Sequence, residues 1–320
     1  MDYLLMFLYA VAVLIILLGG VTFAILAERK VIGYIQLRPG PNRHGPWGIL
    51  QTVADVVKLL LKEDVIPAKA DKKIFVLAPV LAFAPAFSVM AVLVYSSSIG
   101  GADINIGVLY FLGVSSITML GVLMGGWSSN NKYALLGSIR GVAQMVSYEL
   151  PLILSIVGII ILVGSLNMTD IVNYQADMGM WFIVPQFLAF IVYMISSIAE
   201  LNRSPFDLPE AESELVAGYF TEYSGFRFAM FMLAEYTYAI AIAGLATTLF
   251  LGGWLGPAFL PGIVWFLLKV CAVMFIWFWL TATLPRARVD QLMNFGWKVL
   301  IPLALLNIVV TSIIKVWMGG

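Results

Sequence analysis

Carboxylates set inside long apolar runs are the residues of this chain that could do chemistry. Glu149, Glu200 and Glu235 each fall within, or at the end of, a stretch of about twenty mostly apolar residues, and Lys269 does the same. A charge held in hydrocarbon costs at least ~2.5–3.5 kcal/mol on insertion scales, so such groups pair with one another or line a polar path. Glu149 follows Arg140, Gln144 and Tyr148, which share one helix face at i, i+4 and i+8. Glu200 has Ser196 and Ser197 one turn before it, and reads as a path residue or as a boundary residue reaching for water. For Glu149 and Glu235 the plain alternative is a structural ion pair. For Lys269 it is a stem that stretches outward to the interface.

The segment after Glu200 concentrates the acids further. Asp207, Glu210, Glu212, Glu214 and Glu222 stand against Arg203 and Arg227, and Asp207, Glu210 and Glu214 recur at i, i+3 and i+7. Carboxylates crowded in this way repel one another, which favours holding a proton or a cation. A hydrated acidic loop would do the same, although Leu208, Leu215, Val216 and Phe220 make this one unusually apolar.

The composition decides what must position these groups. Of 320 residues 62% are hydrophobic and 11% charged, whereas a soluble domain runs at roughly 45–50% and 25%. A globular core of this size cannot hide that much apolar surface, so the chain is expected to be an all-α, polytopic integral membrane protein. Its net charge of +0 gives no electrostatic hold on nucleic acid. The single cysteine, Cys271, rules out a disulfide framework, a Cys-based zinc site or an iron–sulfur site, and the single histidine, His44, rules out paired histidine ligation of haem.

Eight stretches are long enough to cross a bilayer: 3–26, 74–95, 106–127, 142–164, 181–201, 228–251, 261–283 and 297–317. Sixteen of the 18 basic residues fall in segments on one side, nine of them between 28 and 73, and the loops 96–105, 165–180 and 252–260 hold none. By the excess of cations in cytoplasmic loops, both termini lie outside and the charged loops face the cytoplasm or matrix. The whole of 1–320 reads as one membrane domain, with the acidic loop at 202–227. A stiff, Gly- and Pro-rich connector runs from Arg38 to Pro46. An amphipathic helix over 47–62 follows it, with Gln51, Asp55, Lys58 and Lys62 on one stripe and Leu50, Val53, Val57, Leu60 and Leu61 opposite. That helix either rests on headgroups or turns its polar stripe into a cavity.

Four motifs, in order along nearly the whole chain, resemble one family. They are Glu28-Arg29-Lys30 with Gly33-Tyr34 and Arg38-Pro39-Gly40-Pro41-Asn42; Trp127 to Tyr133 with Arg140 and Ser147-Tyr148-Glu149; Glu200 to Asp207 with Glu210, Glu212 to Leu215 and Glu222-Tyr223; and Pro285 to Arg288 with Asp290-Gln291-Leu292. Together they resemble the quinone-chamber subunit family of respiratory complex I, whose bacterial members are the H subunits of proton-pumping NADH:quinone oxidoreductase. Two local departures are His44, where the family often has a small apolar residue, and Gly141, where it often has alanine.

The resemblance implies eight tilted membrane helices, ubiquinone or menaquinone as substrate, and no redox centre in this chain. Flavin mononucleotide (FMN) and iron–sulfur (Fe–S) clusters would reside in partner subunits. It places Arg29, Arg38, Asp55 and Lys58 along the quinone entrance, and Arg203, Asp207, Glu210, Glu212, Glu214 and Arg286 in the inner chamber. Glu149, Glu200, Glu222 and Glu235 would continue toward the pumping subunits, with Glu210, Glu212 and Glu214 joining that proton path. The implied partners are the peripheral-arm quinone-site and iron–sulfur subunits, the adjacent small membrane subunits, quinone and membrane lipid, in a bacterial plasma (inner) membrane or a mitochondrial inner membrane. The related membrane subunits of energy-converting hydrogenases, a ferredoxin- or deazaflavin-driven relative and a stand-alone proton or cation transporter are the competing readings.

Overall fold

The computed structural model describes residues 3–96, 101–209 and 212–317, with the side chains of 3–7, 9, 212 and 213 outside the description. The helices are α1 Tyr3–Ile35, α2 Leu50–Leu61, α3 Lys72–Ser88, α4 Gly107–Ser115, α5 Thr118–Ser128, α6 Lys132–Val163 and α7 Met168–Met178. Then come α8 Phe187–Glu200, α9 Glu212–Leu215, α10 Gly225–Phe250, α11 Gly262–Thr283, α12 Val289–Phe295 and α13 Ile301–Trp317. Among the described residues seven helical units are long and apolar enough to cross a membrane, and α8 is a shorter apolar helix. The all-helical, polytopic expectation therefore stands, with α8 as the short eighth member.

The expected boundaries shift for identifiable reasons. α8 has 14 residues, about 21 Å of helix against ~30 Å of hydrocarbon. Pro185 sits just before it, where proline suits a helix start, and the chain from Trp181 to Gln186 is turn rather than helix. α6 starts ten residues before the apolar run does, because Asn131 caps it by accepting from the Tyr133 N–H at 2.9 Å. The third crossing is interrupted between α4 and α5. There the Ser115 and Ser116 hydroxyls both donate to the Leu112 carbonyl at 2.9 Å, offering the backbone an alternative to helix bonding. The loop 165–180 holds α7, an outer amphipathic helix beyond those the apolar runs mark, capped by Asn167.

The buried core runs through α1, α3, α4, α6, α8, α10 and α11. α10 lies at its centre, with the run Ala241 to Phe250 buried throughout. Both described ends of the chain lie at the end of the bundle opposite the basic loops. Val13 borders Tyr95 and Gly101, and the Lys315 ammonium donates to the Ile161 carbonyl at 2.6 Å. At the same end Gln186 bridges Asn307 and Thr311, a satisfied polar tie of the kind that joins helices in lipid.

Candidate functional site

At the charged end, α1 runs past the bundle and the connector folds back onto it. Gly48 has a left-handed backbone (φ +75°), and a Cβ there would stand 2.0 Å from the Pro41 carbonyl oxygen, so only glycine closes this turn. The closure lays α2 beside α1. Arg29 then meets Asp55 at 2.5 Å, with Lys58 at 3.8 Å and Gln51 donating at 3.3 Å. Burial raises the Asp55 carboxyl, but the Arg29 guanidinium, with Gln51 and Lys58, outweighs it and holds the group below the usual carboxylate range. Arg38 lies in the same cleft as Arg29, and its Nε donates to Gln36 at 2.8 Å. Of the polar stripe of α2, Gln51 and Asp55 turn to the cleft and α1, while Lys58 and Lys62, like Leu50, Val53, Val57, Leu60 and Leu61, stay exposed.

The centre of the site is Arg203, just beyond the C-terminus of α8. Its Nη1 donates to Glu28 on α1 at 2.6 Å and its Nη2 to Glu235 on α10 at 2.9 Å. The Tyr236 hydroxyl donates to the other oxygen of Glu28 at 2.7 Å, and the guanidinium lies 4.6 Å from the Tyr236 ring centroid. All three charged side chains are nearly enclosed, at 16% exposure for Arg203 and Glu235 and 10% for Glu28. Burial works against the Arg203 charge, yet Glu235 and Glu28 hold it protonated more firmly than usual. A backbone turn places it there. Asn202 adopts a left-handed conformation (φ 52°) that asparagine tolerates, and Gln144 on α6 binds Asn202 Oδ1 together with the Ala199 and Phe206 carbonyls.

From Glu235 a small cavity of about 40 Å³ leads to Glu200, bordered also by Thr118, Asn202 and Tyr238. That is room for water. Among the described residues, Glu200 Oε2 and the hydroxyls of Ser196 and Thr237 have no protein hydrogen-bond partner. Buried polar atoms in that condition are normally satisfied by solvent. The other Glu200 oxygen accepts from the Tyr238 hydroxyl, whose further polar neighbour is Ser115. Ser116, the next residue, has the Glu149 carboxylate and the Leu112 carbonyl as alternative acceptors for its single hydroxyl proton. The break between α4 and α5 thus sets Ser115 beside Tyr238 on the Glu200 side and Ser116 beside Glu149.

The remaining expected site residues divide. Asp207 pairs with Arg286 at 2.8 Å on the face beside Arg203. Arg140 turns away from Glu149 and pairs with Glu214 at 2.6 Å, and Tyr148 donates to the Leu292 carbonyl at 2.9 Å. Glu222 accepts from Asn131 at 2.7 Å, at the N-terminus of α6 where a negative charge suits the helix dipole. Glu210 and the Glu212 side chain lie outside the described residues. Lys269 is 8% exposed and donates to the carbonyls of Leu251, Gly253 and Leu255 at 2.6, 2.9 and 2.6 Å. It caps the outer loop from inside the fold, so its ammonium is buried on backbone carbonyls rather than stretched out to the interface as the sequence suggests. Sequence reasoning missed Glu28, Tyr236, Tyr238 and the Ser115–Ser116 pair as site residues. Glu28 carried a signal, being an acid at the end of a long apolar run; the two tyrosines carried none among thirteen in the chain.

Comparison with known proteins follows the same lines. The family model described as NADH dehydrogenase matches residues 8–312. A curated relative from Brevibacillus brevis, the H subunit of an NADH-quinone oxidoreductase, is 60% identical over 315 residues, covering 97% of this chain and 93% of its own length. Relatives of the same name from Anoxybacillus flavithermus and Geobacillus kaustophilus are each 59% identical, covering 97% and 95% of this chain and 93% and 92% of their own.

Proposed function

The chain belongs to the NADH dehydrogenase family, as an H-type membrane subunit of NADH-quinone oxidoreductase, and from that premise we propose how its charged groups serve quinone reduction. Arg29, Arg38, Asp55 and Lys58 border the way in, and Arg203, Asp207 and Arg286 line the inner chamber. Glu235, Glu200 and Glu149 form the proton path, with Glu210, Glu212, Glu214 and Glu222 at its surface end. The observation that carries this reading is the Arg203 guanidinium held between Glu28 and Glu235, one small cavity away from Glu200.

Reducing a quinone to a quinol takes up a pair of electrons and a pair of protons. With a single cysteine and a single histidine this chain furnishes no ligand set for a cluster. Electrons therefore arrive from peripheral-arm subunits that carry flavin mononucleotide and iron–sulfur clusters. What this chain contributes is charge and proton transfer. Arg203 contacts Glu28 through one nitrogen and Glu235 through the other, at 2.6 and 2.9 Å. A negative charge arriving on the Asp207–Arg286 side draws the guanidinium, and the carboxylate it leaves behind binds a proton more readily. Protons then pass between Glu235 and Glu200 across the cavity, and between Glu200 and Glu149 through Tyr238, Ser115 and Ser116. Because these acids are coupled, a change at one end is felt at the other. The site would take ubiquinone or menaquinone, in a bacterial plasma membrane, with small membrane subunits against the outer helices.

The test is Glu149→Gln and Glu235→Gln in the complex reconstituted into vesicles. Protons translocated per quinone reduced, or quinone turnover itself, should fall severalfold at an unchanged amount of assembled complex. If both variants pump and turn over as the parent does, the path lies elsewhere.

A further inference from the structure

An open cleft at the charged end has a volume of about 740 Å³ and lies between the end of α1, the connector and the first turn of α2. Arg29, Arg38, Arg43 and His44 all face into it. Among the described residues only Arg29 of these pairs with an acid, Asp55. The Arg38 Nε donates to the neutral amide of Gln36, and Arg43 makes no ion pair among the described residues. Two uncompensated guanidinium groups thus converge on one solvent-filled cleft. Guanidinium forks match phosphate oxygens geometrically and electrostatically, and a neutral quinone ring has no use for both charges.

Large exposed apolar side chains adjoin the cleft residues along the chain, Leu37 next to Arg38 and Trp47 just after the connector, where the Lys30 ammonium lies 5.8 Å from the Trp47 ring centroid. Leu37 is 95% exposed and Trp47 74%, and the apolar face of α2 ends in Leu61 at 82%. A backbone with positive φ at both Leu37 and Trp47 turns these residues outward. Exposed leucine and tryptophan next to clustered arginine, at the end of membrane helices, match the boundary between headgroups and acyl chains.

We propose that this cleft binds an anionic phospholipid, with the headgroup phosphate between Arg38 and Arg43 and the acyl chains along Leu37, Trp47 and the apolar face of α2. His44 adds a ring nitrogen at the cleft wall, where it can donate to a phosphate oxygen. The bound lipid braces the connector against α2. It does so whether or not quinone passes alongside, so the proposal survives failure of the quinone reading.

The experiment titrates the purified full chain in neutral detergent with phosphatidylglycerol or with phosphatidylcholine of the same acyl chains, and counts bound lipid by native mass spectrometry. Phosphatidylglycerol should be retained in preference, and Arg43→Gln should weaken it about fivefold, the usual effect of one basic residue at an anionic surface. Arg43→Lys should keep most of the preference, which separates lost charge from lost folding. Equal retention of both lipids, or an unchanged preference in Arg43→Gln, overturns the proposal. So does displacement of phosphatidylglycerol by millimolar inorganic phosphate, which would make this a free-anion site. The assembled complex should retain the lipid as the isolated chain does; loss on assembly would assign the cleft to a partner subunit instead.

Discussion

Replacing Arg203 by glutamine removes the one cation that Glu28 and Glu235 share. Both carboxylates are then enclosed, at 10% and 16% exposure, with only the Tyr236 hydroxyl donating to Glu28. Breaking a buried ion pair by removing one partner costs about 3–5 kcal/mol. An independent bound comes from neutralising one of the acids instead: protonating an ordinary glutamate at pH 7 costs roughly 3.7 kcal/mol. The chain takes the less costly route, so Arg203→Gln should lose about 3–4 kcal/mol, a few hundredfold in the ratio of folded to unfolded protein. Glu235→Gln leaves Arg203 and Glu28 as a balanced pair and should cost no more than ~1.5 kcal/mol. The double variant keeps one carboxylate with its tyrosine donor and should therefore be more stable than Arg203→Gln alone. Thermal unfolding of the detergent-solubilised chain, followed by fluorescence-detected size exclusion, ranks the three. If the two substitutions add, or the double variant is the least stable, Arg203 is not compensating both acids.

Other outcomes follow from single contacts. Lys269→Met strips a donor from three loop carbonyls and should destabilise by about 2–4 kcal/mol, while protons translocated per quinone stay unchanged; a lost ratio at intact stability would make Lys269 part of the path. Gly48→Ala must either break the left-handed turn or push Pro41 away, costing ~2 kcal/mol or more. Proteolysis in the 38–46 connector should accelerate, and equal cleavage rates would show that the turn is not needed. The Asp55 carboxyl sits below its ordinary value of 3.8 because of Arg29, so its contribution is complete above that pH and lost as pH falls through the lower folded value. Hydrogen exchange over residues 50–61, corrected for intrinsic rate, should show α2 held steadily from pH 8 to 5 and released only below about pH 4; release between pH 5 and 6 would point to another group.

Composition by itself determined the solvent of this protein, because apolar residues in such excess cannot be covered by a chain this short. Periodicity located α2 and its polar stripe, and the isolated acids announced a polar path, since charge in hydrocarbon needs a reason. Spacing located Glu149, Glu200 and Glu235 but not what joins them. The joining groups are Tyr238, Ser115 and Ser116, ordinary residues that matter only because a break between α4 and α5 turns two serine hydroxyls toward Glu149 and Tyr238. Helix ends escaped the sequence for a different reason. α6 runs well past its apolar stretch because a capped backbone needs no hydrocarbon around it, and α8 starts late because the chain through Pro185 is turn rather than helix. Likewise Glu28, Arg203 and Glu235 lie on three elements far apart along the chain. Their pairing is decided by the packing of α1 against α10, which brings charges together across distances that no local pattern encodes.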